Sequence, residues 1–306
     1  MHAILGGSGN IGQLLAQYLV DKGERVVSIG RHKPEITIEG VEYRCTDYFT
    51  ADSINKAISG CKYVYLLVGI PYSTKLWQEQ WPDLMDNTIE ACQYNNSKII
   101  FFDNVYMYGL IDGVMTETTP FNPSSKKGKV RAQIATKLID KINNKYVQGV
   151  IARSADFYGY NLSNSVLGTR FMTQLSKGVL EVMGDKDKIH TFTYVNDTLE
   201  ALYTLAKDES NNGETFHLPT TSEQLTQEQL GRLFAQEMNV EIKKVVEIKG
   251  LTLIIFSLFA PVLREFKEML YQFKNTYIFD SSKFIKRYPQ LKTTSYAEAI
   301  KQIISR

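Results

Sequence analysis

Four glycines fall within seven residues near the start of the chain, in "ILGGSGNIGQLLAQYL", and the spacing Gly6, Gly9, Gly12 suits a phosphate. After an apolar strand each has its own use: Gly6 for a tight turn, Gly9 for close approach of backbone to a pyrophosphate, Gly12 for close packing of the next helix on the sheet. The helix entrance at Asn10 and Ile11 adds unpaired N–H groups and a partial positive charge. A dinucleotide is the ligand implied, with a purely structural turn as the alternative. A second set, Lys126, Lys127, Lys129 and Arg131 in "PSSKKGKVRAQ", places four cations near a helix N-terminus, where the helix dipole and mutual repulsion both oppose them. Lys127 and Arg131 are four apart and share one helix face. A lysine beside a guanidinium can give or take a proton, while Arg131 keeps its charge and suits a ribose or a carboxylate. The same cations could instead cover surface as a solvated basic segment.

The end of the second strand bears on which dinucleotide would bind. "VVSIGRHKPE" has Arg31, His32 and Lys33 where an acidic acceptor for a ribose 2′-hydroxyl is expected. A guanidinium there suits a 2′-phosphate, so NADP(H) is expected over NAD(H). The alternative for Arg31 is a solvated cation stacked on adenine.

These groups need a scaffold, and the chain of 306 residues is long enough for a large core. Apolar runs alternating with helical patterns point to βαβ units and a doubly wound parallel α/β sheet, with ligands beyond the carboxyl ends of the strands. Strands are expected over 2–5, 25–29, 63–68, 98–102 and 148–152, and helices over 12–22, 53–59, 77–95 and 128–144. Further helices are expected in "RFMTQLSKG", "TQEQLGRLFAQEM" and the C-terminal "SYAEAIKQIIS". Residues 1–160 form the expected nucleotide-binding domain, to which 190–217 returns, and 161–306 the smaller substrate-binding part. The apolar run "GLTLIIFSLFAPVL" over 250–263 is too short to span a membrane and contains Pro261, so it is expected as a buried or dimer-facing helix.

Lys and Arg total 35 against 33 for Asp and Glu, a net charge of +2 that favours neither nucleic acid nor a membrane as partner. Three cysteines without CxxC spacing argue against a disulfide framework or a zinc site. With no export signal read before the first strand, a cytoplasmic location is expected.

Five stretches, "GGSGNIG", the pair Asp47-Tyr48, "DNVYMYG", "RSADFYG" and "HTFTYVND", occur in the order found in the extended short-chain dehydrogenase/reductases, the NAD(P)-dependent epimerase/dehydratase family. The chain resembles that family over nearly its full length. The resemblance implies a Rossmann sheet, cofactor contacts at Asp47, Tyr48, Val68, Gly69 and Lys127 besides the glycine loop and Arg31, and a homodimer formed through the 77–95 and 128–144 helices. It also exposes a departure. The family's P-x-S-x-Y-G-x-S-K, laid on 123–131, puts Lys127 at the tyrosine and Arg131 at the lysine, and Asn104 falls at the usual Ser/Thr. The standard proton relay is replaced at all three positions, marking a divergent member.

Tyr106 offers a phenol near the same strand end. Asp156 lies where the family, often with Asn, faces the substrate; a pairing with Lys127, a salt bridge to Arg153 and a loop cap are all open to it. His190 is expected to order the loop before Asp197, and Asp197 to cap the helix that follows. Three functions fit: an NADP(H)-dependent small-molecule oxidoreductase using Asn104, Lys127 and Arg131; a dinucleotide-binding sensor or partner protein without turnover; and a sugar-nucleotide epimerase or dehydratase.

Overall fold

The computed structural model describes residues 1–160, 162, 165–250, 253 and 262–305. The first half runs β1 (His2–Leu5), α1 (Asn10–Asp21), β2 (Val26–Gly30), β3 (Val41–Cys45), α2 (Ala51–Ile58), β4 (Tyr63–Leu66), α3 (Thr74–Tyr94), β5 (Lys98–Asp103), β6 (Val114–Met115), α4 (Lys126–Asn143) and β7 (Gln148–Arg153). The second continues through β8 (Asp156–Tyr158), α5 (Thr169–Leu175), β9 (Val179–Met183), β10 (Phe192–Tyr194), α6 (Val195–Lys207), β11 (Thr215–His217), α7 (Gln227–Glu237), β12 (Lys244–Ile248) and β13 (Ile278–Phe279), with a last helix at Tyr296–Ile304. Two compact units emerge: Met1–Met107 with Lys127–Arg153 and Thr198–Phe216, and Tyr108–Lys126 with Ser154–Asp197 and His217–Arg306.

The first unit is built on a seven-stranded sheet in the order β11-β7-β5-β4-β1-β2-β3, with β7 through β3 all parallel. Every residue of β1, β2 and β4 is buried, as a parallel sheet covered on both faces requires, and this is why these strands read as continuous apolar runs. β3, "VEYRC", is the exception: it is the sheet edge, only partly buried, and its mixed composition hid it from apolar-run reading. Helices α2 and α3 start where side chains can accept from their own N–H groups, Thr50 from Ser53 and Ser73 from Leu76. The apolar positions of α3 and α4, including Trp81, Met85, Ile134 and Leu138, are buried.

At the opposite end of β5, Lys98 is 5 % exposed and donates to the carbonyl oxygens of Leu205 at 2.8 Å and Asp208 at 2.6 Å and to Asn211 Oδ1 at 2.8 Å. A cation there satisfies the carbonyls that end α6, while burial pushes the amine down to about 8.

The second unit holds three two-stranded parallel pairs, β8–β10, β9–β12 and β6–β13. Its core gathers Tyr158, Phe171, Leu180, Phe192, Phe234 and Tyr296. The three helices expected in the later chain are present as α5, α7 and Tyr296–Ile304. The apolar run 250–263 lies largely outside the described residues. Among the described residues no helix is long and apolar enough to cross a membrane.

Candidate functional site

The glycine loop leaves β1 and turns at Gly6, whose φ of +89° only glycine adopts readily; a Cβ there would lie 2.7 Å from the backbone of Leu67 and Val68. A Cβ on Gly12 would stand 2.5 Å from Gly6 O and 2.7 Å from Gly7 Cα, so α1 can sit this close only without one. Gly9 differs. A Cβ there meets a single atom, Gly6 O at 3.3 Å, and its face is otherwise open. Gly9 is also the N-cap of α1 and supplies no side-chain acceptor to the helix. The three glycines thus divide into turn, open approach and packing, and α1 begins at Asn10, two residues before Gly12. An uncapped helix start behind an open glycine fits a pyrophosphate.

The flanking segments join this loop. Tyr48 adopts φ +67°; its hydroxyl accepts from Gly6 N at 3.1 Å and donates to Ile29 O at 2.9 Å, and burial pushes the phenol up to about 12. Tyr48, a cofactor contact by the resemblance, therefore also ties the ends of β1, β2 and β3 together. Asp47 stays exposed, with Oδ1 accepting from Phe49 N and Ser53 Oγ at 3.0 Å each. Arg31, His32 and Lys33 are exposed directly after β2. Val68 is half-buried, and Gly69 is exposed with nothing within 4 Å of a Cβ position.

Helix α4 starts at Lys126, so the basic quartet belongs to its first turns. Lys126 and Lys129 are exposed, whereas Lys127 is 0 % and Arg131 3 % exposed. The shared face of Lys127 and Arg131 is the buried one, which excludes a solvated basic segment for these two. Lys127 Nζ donates to Thr74 Oγ1 at 2.8 Å and lies 4.6 Å from the centre of the Tyr72 ring. Arg131 Nε donates to Asp103 Oδ1 at 2.7 Å and Nη2 donates to the same oxygen. The guanidinium stacks 4.4 Å from the Trp81 ring and 5.0 Å from that of Phe101. Arg131 was expected to hold a ribose or a carboxylate ligand, but a carboxylate of its own unit engages it. For Lys127 and Arg131 the expected repulsion is offset by these oxygen acceptors and aromatic faces.

Asp103 is the last residue of β5, and Arg153 at the end of β7 brings its Nε within 3.5 Å of the second carboxylate oxygen. The next residue, Asn104, donates its N–H to Asp103 Oδ1 at 2.9 Å, and its side-chain oxygen accepts from Tyr106 N at 3.0 Å. The Tyr106 ring stacks on Trp77 at 6.2 Å. Thr74 and Tyr72 were not among the residues singled out by sequence, and no local pattern marks them.

In the second unit Asp156 has a partner not named among those expectations: its Oδ2 is 2.8 Å from His190 Nε2. The His190 ring is stacked between Phe273 and Tyr277, 4.3 Å from each. The backbone N–H of His190 donates to Leu225 O at 3.1 Å. Asp197 is not an N-cap, since α6 already starts at Val195. It accepts from Thr294 N at 2.8 Å and Thr294 Oγ1 at 2.7 Å instead.

Comparison with known proteins accords with this arrangement. Residues 3–218 match the sequence model of the NAD dependent epimerase/dehydratase family. Among solved structures, the fold is similar to UDP-N-acetylglucosamine 4-epimerase from Bacillus cereus, at 18 % identity over 99 % of this chain and 97 % of that one, TM-score 0.76. It is also similar to dTDP-glucose 4,6-dehydratase from Streptomyces venezuelae with NAD and TYD bound, at 16 % identity, 100 % and 96 % coverage, TM-score 0.80. UDP-glucose 4-epimerase from Thermotoga maritima with UDP-glucose matches at 18 % identity, 100 % and 98 % coverage, TM-score 0.80. Among curated protein sequences none matches.

Proposed function

Because the chain belongs to the NAD dependent epimerase/dehydratase family, we propose that it is an NADP(H)-dependent oxidoreductase with an altered proton relay, and that nucleotide-linked sugars are the first substrates to test. The observation that carries the reading is Lys127: it replaces the family's tyrosine, yet its ammonium is buried and held by Thr74 in the unit that also bears the open glycine loop. When bound, the dinucleotide supplies a hydride donor or acceptor at its nicotinamide ring. The N-terminus of α1 binds its pyrophosphate, and Arg31 its 2′-phosphate. Lys127 holds the proton at Nζ. Arg131 acts through Asp103, which fixes the turn carrying Asn104, and Asn104 orients the substrate oxygen.

Two measurements test the reading. NADPH is expected to bind several-fold more tightly than NADH, and Arg31→Ala to erase most of the difference; equal affinities in the intact protein would remove the NADP(H) assignment. Lys127→Met is expected to leave NADPH affinity within a few-fold and to lower turnover of UDP- and dTDP-linked hexoses by at least about 100-fold, followed by nicotinamide absorbance. The exposed Lys126→Met and Lys129→Met should change neither. Turnover that survives Lys127→Met places the proton elsewhere.

A second reading, dinucleotide binding without turnover, draws on Asn104 and Arg131, whose polar groups are engaged by Tyr106 N and Asp103. Tight NADPH binding with no substrate converted would favour it.

A further inference from the structure

Among the described residues, four other than glycine have a positive φ: Tyr48 at +67°, Asn96 at +50°, Lys145 at +57° and Asn239 at +54°. Three of them follow a helix and donate to the carbonyl three residues back, Asn96 to Gln93, Lys145 to Ile142 and Asn239 to Gln236. A left-handed residue is an ordinary way to stop a helix. Tyr48 ends no helix. It stands between β3 and α2 and is aromatic, so its backbone is held against its own preference. Asn87 in α3 donates its Nδ2 to the Tyr48 carbonyl at 3.3 Å, and Tyr48 N donates to Thr46 Oγ1 at 3.4 Å. The hydroxyl accepts from Gly6 N at 3.1 Å and donates to Ile29 O at 2.9 Å. That carbonyl also accepts from Gly6 N at 3.0 Å and Gly7 N at 2.9 Å. One phenol and one carbonyl therefore pin the first two residues of the glycine loop, and all these groups belong to one unit.

We infer that Tyr48 is a positioning residue of the dinucleotide site: its hydroxyl fixes the turn at Gly6 that leads into α1 and the pyrophosphate, and Asn87 fixes Tyr48. This role presupposes the dinucleotide reading of the glycine loop. It differs from a contact with adenine, because the group at work is the hydroxyl, bonded to Gly6 and Ile29, and not the ring. Glycine has more conformations to lose on ordering than any other residue. Without the hydroxyl, Gly6 N keeps one acceptor of two, the loop samples other turns, and affinity falls with the fraction that stays competent. The phenol, pushed up to about 12 by burial, remains a neutral donor and acceptor at neutral pH. Asn87 acts through the Tyr48 carbonyl, so α3 reaches the glycine loop through two hydrogen-bonded links.

The test is the affinity for NADPH and NADH, by calorimetric titration, of the wild type, Tyr48→Phe, Tyr48→Leu, Asn87→Ala and the double variant Tyr48→Phe with Asn87→Ala. Each is checked for folding by circular dichroism. Tyr48→Phe keeps the ring and removes only the hydroxyl, and it should weaken the tighter-bound dinucleotide by at least about five-fold, the contribution of one hydrogen bond. Its urea midpoint should change little, since Gly6 N retains Ile29 O as acceptor. Tyr48→Leu should lose little more than Tyr48→Phe. Asn87→Ala should also weaken binding, and the double variant should match Tyr48→Phe within about twofold, because both changes act through one hydroxyl. Affinity in Tyr48→Phe within about twofold of the wild type overturns the proposal, whether or not Tyr48→Leu loses more, and so do fully additive losses in the double variant. A wild type that binds neither dinucleotide removes the dinucleotide reading itself, and the role of Tyr48 falls with it.

Discussion

Replacing Asp103 with alanine is expected to destabilise the protein by about 3–5 kcal/mol, read as a fall in the urea midpoint at unchanged m-value. Its side chain is 0 % exposed, against 4 % for Arg131 and 1 % for Arg153. Removing the carboxylate leaves the buried Arg131 guanidinium without the acceptor of its two hydrogen bonds and takes an ion-pair partner from the buried Arg153. The aromatic faces of Trp81 and Phe101 offset only part of that, because a cation–π contact contributes about 0.5–2 kcal/mol. The double replacement Asp103→Leu with Arg131→Leu should recover part of the loss, since an apolar pair in place of a buried ion pair is often neutral or better. A loss below about 1 kcal/mol in Asp103→Ala would mean that water reaches these arginines.

The second large effect separates binding from packing within one loop. Gly9→Val is expected to weaken NADPH binding by at least about 100-fold, equivalent to about 2.7 kcal/mol, while lowering stability by no more than about 1 kcal/mol. The backbone at Gly9, φ −76° and ψ 163°, is extended and open to any residue, and its Cβ position meets little protein. The valine methyls would occupy the approach to the N–H groups of α1. Gly12→Ala should show the opposite balance, a loss of about 1–3 kcal/mol in stability, because its Cβ is driven against the backbone of Gly6 and Gly7. Calorimetric titration and urea unfolding of the two variants distinguish the cases. Unchanged affinity in Gly9→Val would move the phosphates away from α1.

How much of this was legible in the sequence follows the range of the interactions. The parallel sheet could be read because strands buried on both faces need apolar residues at every position, as in "HAIL" and "YVYL". The glycine loop could be read because turn, approach and packing are set within seven residues. The shared face of Lys127 and Arg131 follows from helical spacing alone. Edge strand β3 escaped, since half-exposed positions carry no continuous apolar signal. What only the tertiary structure decided is where the buried charges go. Asp103, Arg131 and Arg153 meet because β5 and β7 are neighbours in the sheet; Lys127 meets Thr74 and Tyr72 across more than fifty residues; Asp156 finds His190 where β8 pairs with β10. Periodicity dictates which face a side chain occupies. The partner on that face depends on which elements pack together, and burial makes the partner count, because a charge taken out of water must find its compensation in whatever the fold has placed there.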